Sequence, residues 1–121
     1  MSEYTKHLTP RPELRERIIE TAVKAFAAQG IKSITMDDIA TSLGISKRTL
    51  YEVFPDKETL LEECILRGQK EGDEYLKNVL ATSENVLEVL LKCYQRSIEK
   101  FHATNKKFFE DIKKLSLIHI S

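Results

Sequence analysis

Two cysteines and four glycines are all that 121 residues contain, and both shortages narrow the field. Cys64 and Cys93 lie far apart, form no CxxC pair and have no histidine nearby at metal-ligand spacing. A disulfide scaffold and a zinc site are therefore not indicated, and two isolated thiols buried at helical spacing suit a reducing compartment. His7, His102 and His119 are scattered singly. Net charge is also missing. Nineteen Lys and Arg offset nineteen Asp and Glu, and the balance barely shifts between residues 1–54, with eight basic and seven acidic side chains, and the remainder. Any electrostatic footprint must then be local. No stretch approaches the ~18 apolar residues needed to span a bilayer. The opening "MSEYTKHLTPRPELRER" has no apolar core that would serve as a signal peptide. The chain reads as soluble and cytoplasmic, with no membrane partner.

The usual catalytic motifs are absent as well: no nucleophile elbow, no Walker loop, no HExxH. Asp37 and Asp38 are adjacent carboxylates, yet consecutive helical positions point in different directions, and capping accounts for Asp38. The reading is of a protein that is not an enzyme and needs no cofactor or metal.

What is present is helical spacing. Residues 1–9 read as a flexible arm. From Pro10 or Pro12 a helix can begin, with Leu14, Ile18, Ile19, Ala22, Val23 and Phe26 as one stripe and Gly30 as its stop. Thr35 followed by Asp38 matches a capping box, and Met36, Ile39, Ala40 and Leu43 make the apolar face of a two-turn helix closed by Gly44. Ser46 can cap the next helix at once. Two short helices joined so tightly form a helix-turn-helix. Pro55 ends the third helix and Asp56 can cap a fourth, interrupted by Gly68 and Gly72 as a kink or close crossing. "ATSEN" reads as a turn, Val86 to Phe101 as a fifth helix, and Phe108, Phe109, Ile112 and Leu115 suggest a sixth. Tyr94, Phe101, Phe108 and Phe109 form an aromatic stripe, which at this spacing is more often core than pocket. The fold class expected is all-α: a three-helix helix-turn-helix unit over 10–61, then a partial helical bundle over 62–121.

The third helix is two-faced. Wound at about 100° per residue, Leu50, Val53 and Phe54 fall on one arc, while Lys47, Arg48, Tyr51 and Glu52 fall on its neighbour. Arg48 and Glu52 can pair across one turn, which would make this a plain solvated surface. Lys47 argues otherwise, because a cation in the first turn opposes the helix dipole, and Lys57 repeats the anomaly in the fourth helix. Both make sense beside an anion. A duplex supplies phosphates, and its major groove admits a helix. Segment 46–54 then reads as a recognition helix in contact with double-stranded DNA. Arg48 suits guanine O6 and N7, Lys47 a base or phosphate, and Tyr51 a thymine methyl or a phosphate. Thr35, Thr49 and Lys57 suit phosphate oxygens. Glu52 can accept from a cytosine amino group or pair with Arg48. A helical module whose same face binds an acidic protein is the alternative.

The segment "IIETAVKAFAAQGIKSITMDDIATSLGISKRTLYEVFPDKETLL", Ile18 to Leu61, resembles the DNA-binding domain of TetR-family transcriptional regulators. The pieces that carry it are "A..F...G", "T..DIA" and "GISK.TLY..F..KE.LL". Phe26, Ile39, Ala40, Leu43, Gly44, Leu50 and Phe54 supply the structural core of that motif. The resemblance implies DNA contacts at Thr35, Lys47, Arg48, Thr49, Tyr51 and Lys57. It also implies a homodimeric, nucleoid-associated repressor that leaves a palindromic operator when a small-molecule effector enters the C-terminal domain. Arg48 departs from the family's frequent glycine, and Glu52 and Val53 from its frequent His-Tyr or His-Phe. Family members usually run well beyond this length, so the C-terminal domain is expected to be truncated and its exposed stripes to promote association. The final "LSLIHIS", residues 115–121, resembles translated sequencing-adapter read-through, with a genuine apolar helix end as the other reading.

Overall fold

The computed structural model describes residues 11–120, the side chains of 116–120 excepted. The arm read over residues 1–9 and the stretch after Leu115 thus lie outside the side chains described. Among the described residues six helices succeed one another, with no strand: α1 (Arg11–Gln29), α2 (Met36–Leu43), α3 (Lys47–Val53), α4 (Lys57–Thr82), α5 (Val86–Ala103) and α6 (Lys106–Ile120). None is long and apolar enough to cross a membrane.

Periodicity in α1 buries Leu14, Ile18, Ile19, Ala22 and Phe26. Val23, expected in the same stripe, stands at its margin and is exposed. Gly30 takes φ +88 and donates its N–H to Phe26 O at 2.8 Å, which ends the helix in the left-handed region that glycine tolerates. Ile31 and Ile34, in the irregular connection that follows, are buried with the helix stripes. Ile39 and Ala40 of α2, Leu50 of α3, Phe54 beyond it, and Leu60 and Leu61 of α4 complete one core, with Leu43 and Val53 half-buried at its edge. Each large side chain so buried contributes about 1.5–3 kcal/mol. That packing is what keeps α3 helical, since a seven-residue helix is not stable alone in water.

Long α4 runs without interruption through Gly68 and Gly72, against expectation. A side chain at Gly68 would meet open space, and one at Gly72 only Arg96 Nη1 at 3.9 Å, so neither glycine marks a close crossing. Each costs about 1 kcal/mol relative to alanine, too little to break a helix of 26 residues. The helix also passes continuously through the 61/62 boundary. Further along, Val79 is buried, whereas Ile65, Leu76 and Leu80 are exposed. α5 rests on α4 but buries no residue fully, and Leu87, Leu90, Leu91, Tyr94 and Phe101 are all more than half exposed. The aromatic stripe is therefore not core here. Phe101 stacks on Phe109 at 5.3 Å, and only Phe108 packs against the central cluster.

α6 returns to α1. Phe108, Ile112 and Leu115 pack against the core. Asn105 donates its backbone N–H to Ala27 O at 2.7 Å and its side-chain amide to Ala28 O at 3.1 Å, satisfying carbonyls at the end of α1. Both cysteines are half-buried rather than fully buried. Burial pushes the Cys64 thiol up to about 12.

Candidate nucleic-acid interface

The surface that carries the candidate contacts is built by caps. Thr35 Oγ1 accepts from Asp38 N–H at 3.1 Å, and Asp38 Oδ2 accepts from Thr35 N–H at 2.8 Å, so the expected capping box starts α2. The Thr35 amide holds the Asp38 carboxyl below the usual carboxylate range. Gly44, at φ +69, closes α2, and the following Ile45 N–H reaches Ala40 O at 3.1 Å. Ser46 then caps α3, its Oγ accepting from Thr49 N–H at 3.1 Å. Turn and cap hydrogen bonds thus shape the exit of α3 from α2.

Side chains do the rest. Leu50 and Phe54 are 0% and 1% exposed and hold α3 to the core. The arc beside them faces solvent with Lys47, Arg48, Tyr51 and Glu52. Lys47 Nζ lies 3.2 Å from Asp37 Oδ1, linking the starts of α3 and α2. Arg48, with 90% of its side chain exposed, brings Nε to 3.4 Å from Glu52 Oε1. Tyr51 is exposed at 39%, and its hydroxyl has no hydrogen-bond partner among the described residues. Thr49 is half-buried and shares a 2.8 Å hydrogen bond between its hydroxyl and that of Ser46.

Lys57 is placed differently. It opens α4 behind the Asp56 cap, but its ammonium turns inward, donates to Ile31 O at 2.6 Å and lies 5.9 Å from the Phe26 ring. Burial lowers its pKa, against the opposing pull of Asp111 and Asp38. Of the six expected contacts, the structure brings Lys47, Arg48 and Tyr51 onto one exposed helix face. Thr35 and Thr49 sit at the caps beside it, and Lys57 sits at the seam with the core.

Sequence reasoning missed Arg11. Its Nη2 donates to Glu52 Oε2 at 2.8 Å, a contact that spans 41 positions and brings the start of α1 to the α3 face. Arg11 is a cation in a helix's first turn, the same anomaly that singled out Lys47 and Lys57, so the signal was present. Among the described residues no group of three or more His, Cys, Asp and Glu side chains is placed to hold a metal ion.

Residues 18–64 match the family profile described as bacterial regulatory proteins, tetR family. Over 72 residues the chain is 32% identical to the biofilm operon icaADBC HTH-type negative transcriptional regulator IcaR of Staphylococcus aureus (strain Newman), covering 60% of this chain and 37% of that one. It is 32% identical over 101 residues to the uncharacterized HTH-type transcriptional regulator YhgD of Bacillus subtilis (strain 168), covering 80% of this chain and 52% of the relative. A crystal structure of a TetR-family transcriptional regulator from Pectobacterium atrosepticum superposes with a TM-score of 0.61 at 28% identity, covering 74% of this chain and 46% of the other. The chain thus spans about half, or less, of the length of the relatives it matches.

Proposed function

We propose that the chain, whose residues 18–64 match the tetR family of bacterial regulatory proteins, is a member of that family and binds double-stranded DNA by sequence, with α3 in the major groove. The observation that carries this is the division of α3: Leu50 and Phe54 are wholly buried, while Lys47, Arg48 and Tyr51 share the exposed side. Arg48 reads guanine, Lys47 a base or phosphate, and Tyr51 a thymine methyl or a phosphate. Thr35 and Thr49 hold phosphates. A hydroxyl that accepts in a cap keeps its proton to donate, so capping and phosphate binding are compatible at Thr35. Lys57 gives one N–H to Ile31 O and retains two for a phosphate.

In this reading residues 10–61 are the DNA-binding unit and 62–121 part of an effector-binding and dimerisation unit, with α4 running through both. The whole protein is a cytoplasmic, nucleoid-associated homodimeric repressor on a palindromic operator, released by a small-molecule effector. The negative-regulator name of the Staphylococcus relative favours repression. Nothing in the relatives' names points to catalysis.

The test is binding to the duplex upstream of the gene, with salt titrated. Affinity falling steeply with salt, sequence preference flattened by Arg48→Ala and uniform weakening by Lys57→Ala support the reading. The exposed apolar side of α5 favours a second reading, a helical module that binds protein. Absence of duplex binding, both by this chain and by a form extended to the relatives' length, would favour it.

A further inference from the structure

We propose that Glu52 is the positioning residue that makes Arg48 a guanine reader, and that Arg11 competes with a cytosine for the same carboxylate. The inference rests on the duplex-binding reading above and concerns what α3 selects.

The three side chains meet at one carboxylate. Arg11 Nη2 lies 2.8 Å from Glu52 Oε2, and Arg48 Nε lies 3.4 Å from Glu52 Oε1. Each oxygen therefore faces a different guanidinium. Arg48 has five N–H donors in a fixed fork, and pairing through Nε leaves the end-on pair of terminal nitrogens free to donate. That pair matches the O6 and N7 acceptors of guanine. Without Glu52, a side chain 90% exposed has nothing among the described residues to hold its fork in one direction.

Glu52 by itself is an awkward residue on this face. A free carboxylate accepts from the cytosine amino group and repels phosphates. Arg11 opposes both effects, offsetting the negative charge and competing for Oε2, and it ties the first turn of α1 to α3. Its hydrogen bond is the leading reason that the Glu52 carboxyl is held below its ordinary range, with Arg48 adding to it. Glu52 therefore meets DNA as an ionised group already paired with two cations. Arg11, Arg48 and Glu52 are all exposed, so substituting them leaves the core untouched.

The test is a selection from randomised duplexes followed by affinity measurements at the base pair whose preference Arg48→Ala abolishes. At that position the wild type, Glu52→Ala, Arg11→Ala and Arg11→Lys each meet all four base pairs, and thermal melts confirm that each is folded. Exposed ion pairs are weak, so the expected changes are about three- to fivefold. The wild type prefers guanine. Glu52→Ala lowers that preference while tightening binding to every sequence. Arg11→Ala raises the affinity ratio of cytosine to guanine, and Arg11→Lys restores the wild-type ratio. Variants that change overall affinity but keep the wild-type ratios between bases would overturn the inference and leave the duplex reading intact, as would a wild type that prefers another base there. A wild type with no salt-dependent duplex binding removes both.

Discussion

The Asp111 carboxylate reaches back 80 positions and accepts from the Ile31 backbone N–H at 2.9 Å, and from the Lys32 N–H at 3.0 Å with the same oxygen. The opposite side of that peptide unit is also taken, because Ile31 O accepts from Lys57 Nζ. The short connection between α1 and α2 is thus held by α6 on one side and α4 on the other. α2 and α3 follow directly, so the placement of the candidate DNA-facing surface depends on a contact from near the end of the described chain.

This contact predicts a pH dependence. The Lys32 and Ile31 amides hold the Asp111 carboxyl below its ordinary value. A depressed folded-state pKa contributes stability that is complete above the unfolded value of 3.8 and disappears as pH falls through the folded one. Asp38, Asp56, Glu16, Glu52 and Glu88 shift in the same direction and steepen the same acid limb. Urea midpoints measured from neutral pH downward should show Asp111→Asn below the wild type near pH 6, with the gap closing below pH 4. A constant gap would mean that ionisation at this site is irrelevant.

Three glycines should respond to alanine with different signs. At Gly30 the new Cβ would sit 2.8 Å from Lys107 Cβ on a backbone at φ +88, so strain and collision combine to more than about 2 kcal/mol of destabilisation. At Gly44, φ is +69 but the space is open, leaving conformational strain alone at about 1–2 kcal/mol. Gly68 lies inside α4 with nothing near, and alanine there should stabilise by about 0.4–1 kcal/mol. Denaturation of the three single variants ranks them directly.

Leu50 and Leu91 both occupy apolar helical positions in the sequence but should not behave alike. Leu50 is 0% exposed, so Leu50→Ala should cost about 2–5 kcal/mol and loosen α3. Leu91 is 53% exposed, and Leu91→Ala should change unfolding of the isolated chain by less than about 0.5 kcal/mol. A large loss at Leu91 that grows with protein concentration would show that a partner covers α5.

Cys64 should be slow to alkylate in the folded protein. Its thiol is pushed from 9.0 to about 12 by burial, which lowers the reactive thiolate roughly a thousandfold at pH 8. Mass-spectrometric counting of iodoacetamide adducts should show it labelled rapidly only after unfolding in urea. Labelling at equal rates in both states would contradict the burial.

Lys47 is partly neutralised by Asp37 at 3.2 Å. On the duplex-binding reading, Asp37→Asn should tighten binding about two- to fivefold for all sequences alike, since exposed pairs are weak and phosphates carry no sequence information. Anisotropy titrations on two unrelated duplexes measure this. Tightening confined to one sequence would instead place Lys47 on a base.

The caps were legible because each is a local device. Thr35 with Asp38, Ser46 before α3 and Asp56 before α4 announce themselves within four residues, and each forms the hydrogen bond its spacing calls for. The buried arc of α3 was legible for the same reason. Ile31 and Ile34 were not, because buried residues in an irregular connection have no period to betray them. Nor was the inward turn of Lys57, which depends on the Ile31 carbonyl 26 positions away.

By itself the sequence determined the order of helices, the tight turn into α3 and the separation of that helix into a buried and an exposed side. These follow from periodicity and capping, which act over one or two turns. Tertiary structure alone decided which cations are free and which are engaged. It joined Arg11 to Glu52, turned Lys57 toward Ile31, and left Leu87, Leu90 and Leu91 of α5 exposed. The physical reason is distance. Ion pairs, and the cover that a helix face receives, depend on elements that meet only when the chain has folded.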